Sequence, residues 1–113
     1  MSNFSHGRAS EEAAVEYLKL QKFEIVEQNY RTRYCEIDIV ANKNKTVYFV
    51  EVKYRQSSVQ GTGLDYITPK KLKQMRFAAE MWVQEHDWKG DYELSAIEVS
   101  GKDFKVVEFI SQI

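Results

Sequence analysis

Apolar residues recur along the chain at two different spacings, one typical of helices and the other of strands. The helical spacing predicts two helices. From Ser10 to about Gln21 the apolar positions follow helical spacing, and Ser10 is predicted to cap the first helix. Thr68 and Pro69 are predicted to open a second helix, with Thr68 as its cap. This helix is predicted to end near residues 86–90. The buried stripe of the second helix is predicted to comprise Leu72, Met75, Ala79 and Trp82.

Alternating apolar and polar residues, rich in β-branched and aromatic types, predict five strands. These strands are predicted at residues 22–28, 36–41, 46–55, 92–99 and 104–110. A turn is predicted at 29–33 and a tight hairpin loop at 42–45. The third strand is apolar on both faces over its first half, so it belongs in the interior of a sheet. The order of elements predicts an α/β fold, with one mixed sheet of about five strands flanked by two main helices.

The 113 residues are predicted to form one domain spanning 1–113. A hydrophobic content of 43% with only 5 Gly and 1 Pro excludes disordered and collagen-like classes. Residues 1–8 are expected to be flexible. Residues 56–67, rich in Ser and Gly, are expected to form a mobile loop in the position of a lid.

The chain has no apolar run near the roughly 18 residues that a membrane span needs, and its first ten residues are too polar for a signal peptide. We therefore expect a soluble cytoplasmic protein with no membrane partner. The single Cys35 excludes an internal disulfide, and it has no Cys or His partner at the spacing of a zinc site.

Charge is balanced overall but uneven along the chain. The formal net charge is −1, yet residues 53–76 carry 6 basic residues against the single acidic Asp65. The basic residues of this island are Lys53, Arg55, Lys70, Lys71, Lys73 and Arg76. Two interpretations stay open on charge alone: the island contacts phosphates, or it is the solvated face of a helix.

Three charged residues stand in strands that are otherwise typical of a core. Asp38 lies in one strand of the predicted hairpin, and Glu51 and Lys53 lie two apart in the next, so they project together and Asp38 can reach them. Two carboxylates beside an ammonium suit Mg²⁺ or Mn²⁺ and the hydrolysis of a phosphodiester. The alternative is a structural ion pair between adjacent strands.

The first helix offers a third carboxylate. Glu11 shares the apolar face with Ala14 and Leu18, whereas Glu12 falls on the side that faces water. Glu11 is therefore the candidate site residue. Its alternative role is a favourable interaction with the helix dipole.

Several runs of the sequence resemble the YraN family of small bacterial proteins. The runs are Asn29-Tyr30-Arg31, Cys35-Glu36-Ile37-Asp38-Ile39-Val40 and Val47 to Arg55, with Glu11 and its helix, and Thr68 to Leu72. The resemblance covers roughly residues 7–110 in matching order, which is much more than one short motif.

This resemblance implies a restriction-endonuclease-like fold of the PD-(D/E)xK type, which archaeal Holliday-junction resolvases also use. Asp38 would match the metal-binding Asp, Glu51-Val52-Lys53 the E-x-K signature and Glu11 the helix carboxylate. Glu36 belongs to the same family run, and its role stays open.

Two positions depart from the family pattern. Cys35 replaces the usual Gly before Glu36, and Ser10 replaces the usual Gly before Glu11. The side chain of Cys35 puts the local backbone conformation in question, although no presumed ligand is lost.

The combined hypothesis is a metal-dependent nuclease. Asp38 and Glu51 would hold Mg²⁺ or Mn²⁺, Glu11 would complete the site, and Lys53 would orient water or stabilise the transition state. The phosphate backbone would be held by Arg31, Arg33, Arg55, Lys70, Lys71 and Lys73.

Nucleic acid is the expected partner, DNA favoured over RNA, and a homodimer is one expected assembly. The alternatives are a non-catalytic nucleic-acid-binding module of the same fold and a protein-interaction domain whose carboxylates are structural. Tyr30, Tyr54 and Tyr66 flank the predicted site and either stack on bases or pack in the sheet.

Overall fold

Two α-helices and five β-strands, numbered in chain order, form the α/β fold. They are α1 (Asn3–Leu20), β1 (Glu24–Arg31), β2 (Glu36–Lys43), β3 (Thr46–Arg55), α2 (Pro69–Glu85), β4 (Asp91–Ser100) and β5 (Lys105–Ser111). The structure, a computed structural model, describes residues 3–56 and 67–113, with side chains in α1 from Gly7 onward. The predicted fold class, two main helices and one five-stranded mixed sheet, is confirmed.

The strands are ordered β1-β2-β3-β4-β5 across one sheet. β3 and β4 are parallel because α2 carries the chain back between them, and the other neighbours pair antiparallel. β3 is therefore the middle strand, as its two apolar faces predict.

Each helix packs on its own face of the sheet. Met75, Ala79 and Trp82 of α2 share one core cluster with Phe49 of β3, whereas α1 shares the other with Val50. Adjacent residues of a strand point to opposite faces, so the two clusters lie on opposite sides of the sheet. The α1 side of the second cluster comprises Ala14, Val15 and Leu18.

The start of α1 corrects the predicted cap. The helix begins at Asn3, and Ser10 lies inside it. The Ser10 hydroxyl donates to the Gly7 carbonyl oxygen at 3.0 Å, one turn earlier, so it is satisfied within the helix. The prediction that Ser10 caps the helix is wrong, because a hydroxyl that caps a helix end can equally bond back to the preceding turn.

The β1–β2 and β2–β3 hairpins are both longer than predicted. β1 continues through the segment 29–31, where Tyr30 pairs with Ile37, so the turn predicted at 29–33 is wrong over its first half. β2 and β3 continue to a two-residue turn at Asn44 and Lys45, with φ of 53° and 66°. These positive φ values at both central residues are typical of a turn that matches the twist of the flanking strands.

The start of α2 confirms the predicted capping. The Thr68 side-chain oxygen accepts from the Lys71 N–H at 3.0 Å, and Pro69 is the first helical residue. Two hydrogen bonds then hold α2 against β1: Tyr30 Oη donates to Glu85 at 2.7 Å, and Trp82 Nε1 donates to Glu27 at 3.1 Å.

The predicted loop at 56–67 falls largely outside the described residues. Neither described helix is long and apolar enough to cross a membrane.

Candidate functional site

The candidate site forms where β2 and β3 stop pairing. Their ladder reaches Ile39 and Val50, and one step further the register would set Asp38 opposite Glu51. There the Asp38 Oδ2 atom accepts a hydrogen bond from the Val52 N–H at 2.7 Å. The carboxylate thus takes the place of a backbone carbonyl as the acceptor for β3, and it brings Asp38 beside Glu51.

Burial and neighbouring carboxylates dominate the electrostatics of Asp38. Burial raises the pKa of its carboxyl to about 8, with further increases from the charges of Glu51, Glu11 and Glu36, while the Val52 N–H opposes them. Burial also raises the pKa of Glu51, and this rise is opposed by the ammonium groups of Lys71 and Lys53. The pair therefore holds a proton more readily than ordinary carboxyls, unless a cation neutralises it.

Glu11 reaches the same site from α1. It lines a pocket of about 390 Å³ that Asp38 and Lys53 also line, whereas Glu12 is exposed and pairs with Arg8 at 4.0 Å. Burial raises the pKa of Glu11, followed by the charges of Glu36 and Glu51. The structure thus brings Glu11 to Asp38, and it separates the two consecutive glutamates as the helical spacing predicts.

Asn29 is a site residue that the sequence reasoning missed. With its amide nitrogen turned towards Glu11, it donates to both carboxylate oxygens, at 3.0 and 3.3 Å. Asn29 has a φ of 58°, a conformation that asparagine tolerates better than most residues. Its place in the run Asn29-Tyr30-Arg31 was the available signal, but only the packing of α1 against β1 pairs it with Glu11.

The two lysines of the site come from different elements. Lys53 of β3 is exposed and lines the pocket beside Asp38, as predicted. Lys71 of α2, predicted to contact phosphate, places its Nζ 3.5 Å from Glu51 Oε2. Its position on Glu51 depends on how α2 crosses the sheet, which helical spacing does not reveal.

The carboxylate oxygens of the site could supply some, but not all, of the ligands of a hard cation. Glu51 Oε1 is buried and has no hydrogen-bond partner among the described residues, so it is left to accept from a ligand. Within residues 3–56 and 67–113, however, no three His, Cys, Asp or Glu side chains are grouped so as to hold a metal ion by themselves. A divalent ion at Asp38 and Glu51 would therefore need water or substrate oxygens to fill its coordination.

The other predicted phosphate contacts divide into two groups. Arg31 pairs with Glu36 at 2.7 Å, and the Arg55 side chain, only 13% exposed, lies 3.8 Å from Glu98. Arg55 is thus set against β4 rather than on an open surface. Arg33, Lys70 and Lys73 are exposed, and so is Arg31 although it is paired with Glu36.

The predicted stacking residues that the structure describes pack within the protein. Tyr30 is buried and bonded to α2, and Tyr54 donates to the Gly101 carbonyl oxygen at 3.1 Å. The Tyr54 ring also lies 5.1 Å from that of Phe104. The packing alternative therefore holds for both, and Tyr66 lies outside the described residues.

Cys35 occupies a tight turn without an unusual backbone. Its N–H donates to Thr32 Oγ1 at 3.2 Å, and its Sγ donates to the Gln74 carbonyl oxygen at 3.4 Å. Among the described residues it is not one of those with positive φ, so the side chain that replaces the usual Gly is accommodated. Burial raises the pKa of the thiol.

Comparison with known proteins places almost the whole chain in one family. Residues 10–108 match the family described as "Uncharacterised protein family UPF0102". A UPF0102 protein of Cytophaga hutchinsonii is 31% identical over 106 residues, which cover 94% of each chain. One from Alkaliphilus oremlandii is 35% identical, covering 88% of this chain and 90% of its own. One from Vibrio parahaemolyticus is 30% identical, covering 90% and 88%.

Proposed function

This chain belongs to the UPF0102 (YraN) family, as its match over residues 10–108 shows, and we propose that it is a metal-dependent nuclease that hydrolyses phosphodiester bonds in DNA. The proposal includes the restriction-endonuclease-like form of the α/β fold. The match of Asp38, Glu51 and Lys53 to the PD-(D/E)xK pattern supports it.

One observation carries the proposal: two largely buried carboxylates meet where β2 and β3 separate, beside a pocket that an exposed lysine lines. Each of these largely buried carboxylates is costly when charged, and the charge of Glu51 raises the cost of charging Asp38. Glu51 Oε1 also lacks a hydrogen-bond partner among the described residues. A divalent cation would neutralise both groups and satisfy that oxygen.

The side chains divide the work of hydrolysis. Asp38 and Glu51 would hold Mg²⁺ or Mn²⁺, which when bound polarises a phosphoryl oxygen and makes water more acidic. Lys53 binds a phosphoryl oxygen in the pocket and stabilises the negative charge that develops there. Glu11, positioned by Asn29 and with a raised pKa, orients the attacking water and accepts its proton.

Cleavage assays of the Glu51→Gln variant test the proposal. Labelled branched, duplex and single-stranded DNA, with RNA as a fourth substrate, are incubated with Mn²⁺. We expect the wild type to cleave a DNA substrate and Glu51→Gln to lose roughly 100-fold or more of the rate, since charge stabilisation in the transition state is lost.

The first helix supplies a matched control for this experiment. Glu11→Gln is expected to reduce cleavage, whereas Glu12→Gln changes an exposed acid outside the pocket and is expected to leave it unchanged. Wild-type cleavage by Glu51→Gln, with the fold intact by circular dichroism, would sink the mechanism.

A second candidate is a nucleic-acid-binding module that does not cleave. The contact of Lys71 Nζ with Glu51 Oε2, at 3.5 Å, favours it because a lysine already supplies a positive charge to this carboxylate. This candidate predicts equal DNA affinity with Mn²⁺ and with EDTA, and no cleavage of any substrate in the panel.

A further inference from the structure

Two exposed aromatic rings lie together beside the first half of α2. Tyr34, in the turn between β1 and β2, is 54% exposed, and Phe77 of α2 is 39% exposed. Their ring centroids are 5.1 Å apart at an interplanar angle of 75°, so each ring holds the other in an edge-to-face contact. We call this pair the aromatic platform. Exposed aromatic rings that support each other form a rigid apolar surface that remains open to a ligand.

Positive charge surrounds the aromatic platform. Its rings line a pocket of about 540 Å³ together with Lys70, Lys73 and Gln74. The Arg33 guanidinium lies 5.8 Å from the centroid of the Tyr34 ring. None of the described residues that line this pocket is acidic. The surface thus offers aromatic faces to an apolar ring system and several cations to anionic groups around it.

The aromatic platform adjoins the candidate site. Lys70 and Lys73 flank Lys71 on α2, and Lys71 contacts Glu51. The turn that carries Tyr34 is held to the same helix, because Cys35 Sγ donates to the Gln74 carbonyl oxygen at 3.4 Å. A nucleic-acid strand whose phosphate lies at the candidate site can therefore extend along α2 to the aromatic platform.

We propose that the aromatic platform binds an unpaired nucleotide, its base stacked on Tyr34 or Phe77 and its phosphates held by Arg33, Lys70 and Lys73. The inference rests on the proposed function and specifies its substrate: a single strand, flap or branch rather than a continuous duplex. An aromatic ring can stack on any of the bases, but only when that base is not already stacked on its neighbours in a duplex. The concentration of cations disfavours a protein partner, since charged residues are depleted at the centres of protein interfaces.

Fluorescence anisotropy with EDTA present tests the platform without cleavage. The probes are a labelled single-stranded DNA oligonucleotide and a blunt duplex of the same sequence. We expect tighter binding of the single strand, and a loss on the order of 10-fold for Tyr34→Ala or Phe77→Ala, with little change for the duplex. Leu20→Ala, which truncates an exposed side chain at the end of α1, is expected to bind as the wild type does.

Two further sets of variants separate stacking from folding and from charge. Tyr34→Leu keeps an apolar side chain but no ring, so it should bind the single strand as weakly as Tyr34→Ala, whereas Tyr34→Trp should retain affinity. Lys70→Gln and Lys73→Gln should each reduce the slope of log affinity against log salt by about 0.7, as expected for one phosphate contact on a single strand. Circular dichroism confirms that each variant is folded.

The outcomes distinguish this inference from the proposed function. If Glu51→Gln abolishes cleavage while Tyr34→Ala leaves single-strand affinity unchanged, the nuclease stands and the platform is overturned. If single-strand affinity depends on both rings but no substrate is cleaved, the platform stands and the nuclease fails. Wild-type affinity of Tyr34→Leu would also overturn the platform, because an apolar contact without stacking would then suffice.

Discussion

At the scale of single residues, Asp38 supports the fold and the candidate site with the same carboxylate. It accepts the Val52 N–H where the β2–β3 ladder ends, and this bond lowers its pKa. Burial and the charges of Glu51, Glu11 and Glu36 act in the opposite direction and dominate. The ionised site therefore destabilises the folded chain in the absence of a cation.

This balance predicts how stability changes with pH. The Asp38 pKa is 3.8 as an ordinary carboxyl and about 8 when folded, so the folded state binds the extra proton between these values. The stability that the raised pKa of Asp38 contributes is fully present below pH 3.8 and is lost as pH rises through about 8. We expect urea denaturation of the wild type in EDTA to show that the free energy of unfolding falls by a few kcal/mol from pH 5 to pH 9. Each pKa unit corresponds to about 1.4 kcal/mol.

Asp38→Asn tests the origin of this loss. The amide keeps an oxygen that can accept the Val52 N–H but carries no charge, so we expect a flatter dependence on pH and a more stable protein at pH 9. Glu12→Gln removes an exposed carboxyl and should retain the wild-type dependence. Identical slopes for Asp38→Asn and the wild type would contradict the assignment.

At the scale of elements, the connection from α2 to β4 is packed too closely for a side chain. A Cβ atom on Gly90 would lie 2.7 Å from the Trp88 ring and 2.9 Å from the Lys45 carbonyl oxygen. Trp88 is held there because its Nε1 donates to the Asp91 carbonyl oxygen at 2.9 Å. The glycine thus permits the close approach of this connection to the β2–β3 turn.

Two alanine substitutions compare this tightly packed connection with an open position in α1. Gly90→Ala is expected to lower the free energy of unfolding by about 1–3 kcal/mol, as overpacking does. Gly7→Ala, in α1 with nothing within 4 Å of the added Cβ, is expected to raise it by about 0.5–1 kcal/mol, because alanine favours the helix. Urea denaturation measures both, and a change of the same sign in both variants would contradict the packing argument.

At the scale of the whole molecule, the candidate site joins elements that are distant in the sequence. Glu11 belongs to α1, Asp38 and Glu51 to β2 and β3, and Lys71 to α2. The site therefore exists only when both helices are packed on the sheet. A cation bound there would stabilise the folded chain as a whole, because the unfolded chain does not bring these side chains together.

Thermal unfolding with Mn²⁺ tests this coupling. At a concentration of 100 times Kd, the ion should add about 2.7 kcal/mol to the free energy of unfolding. For a chain of this size, 1 kcal/mol raises Tm by roughly 4–8 °C. We expect the increase in the wild type and in Glu12→Gln, but not in Glu51→Gln. An unchanged Tm in the wild type at millimolar Mn²⁺ would count against the cation site.

Local signals predicted most elements, and they failed where two structures compete for the same residues. The Thr68-Pro69 start of α2 and the β3 strand follow the prediction. Ser10 and the segment 29–31 do not, since serine and asparagine favour caps and turns only while no stronger partner is present. In the folded chain Ser10 bonds to the preceding helical turn, and pairing with β2 keeps residues 29–31 in β1.

The sequence by itself determined the α/β class, the inward face of Glu11 and the convergence of Asp38 with Glu51, because these follow from local periodicity and one short hairpin. Only the tertiary structure decided the partners from other elements: Asn29 on Glu11 and Lys71 on Glu51. The aromatic platform also joins a turn to a helix that is distant in the chain. Such contacts depend on where each helix crosses the sheet, and the packing of the whole core sets that position.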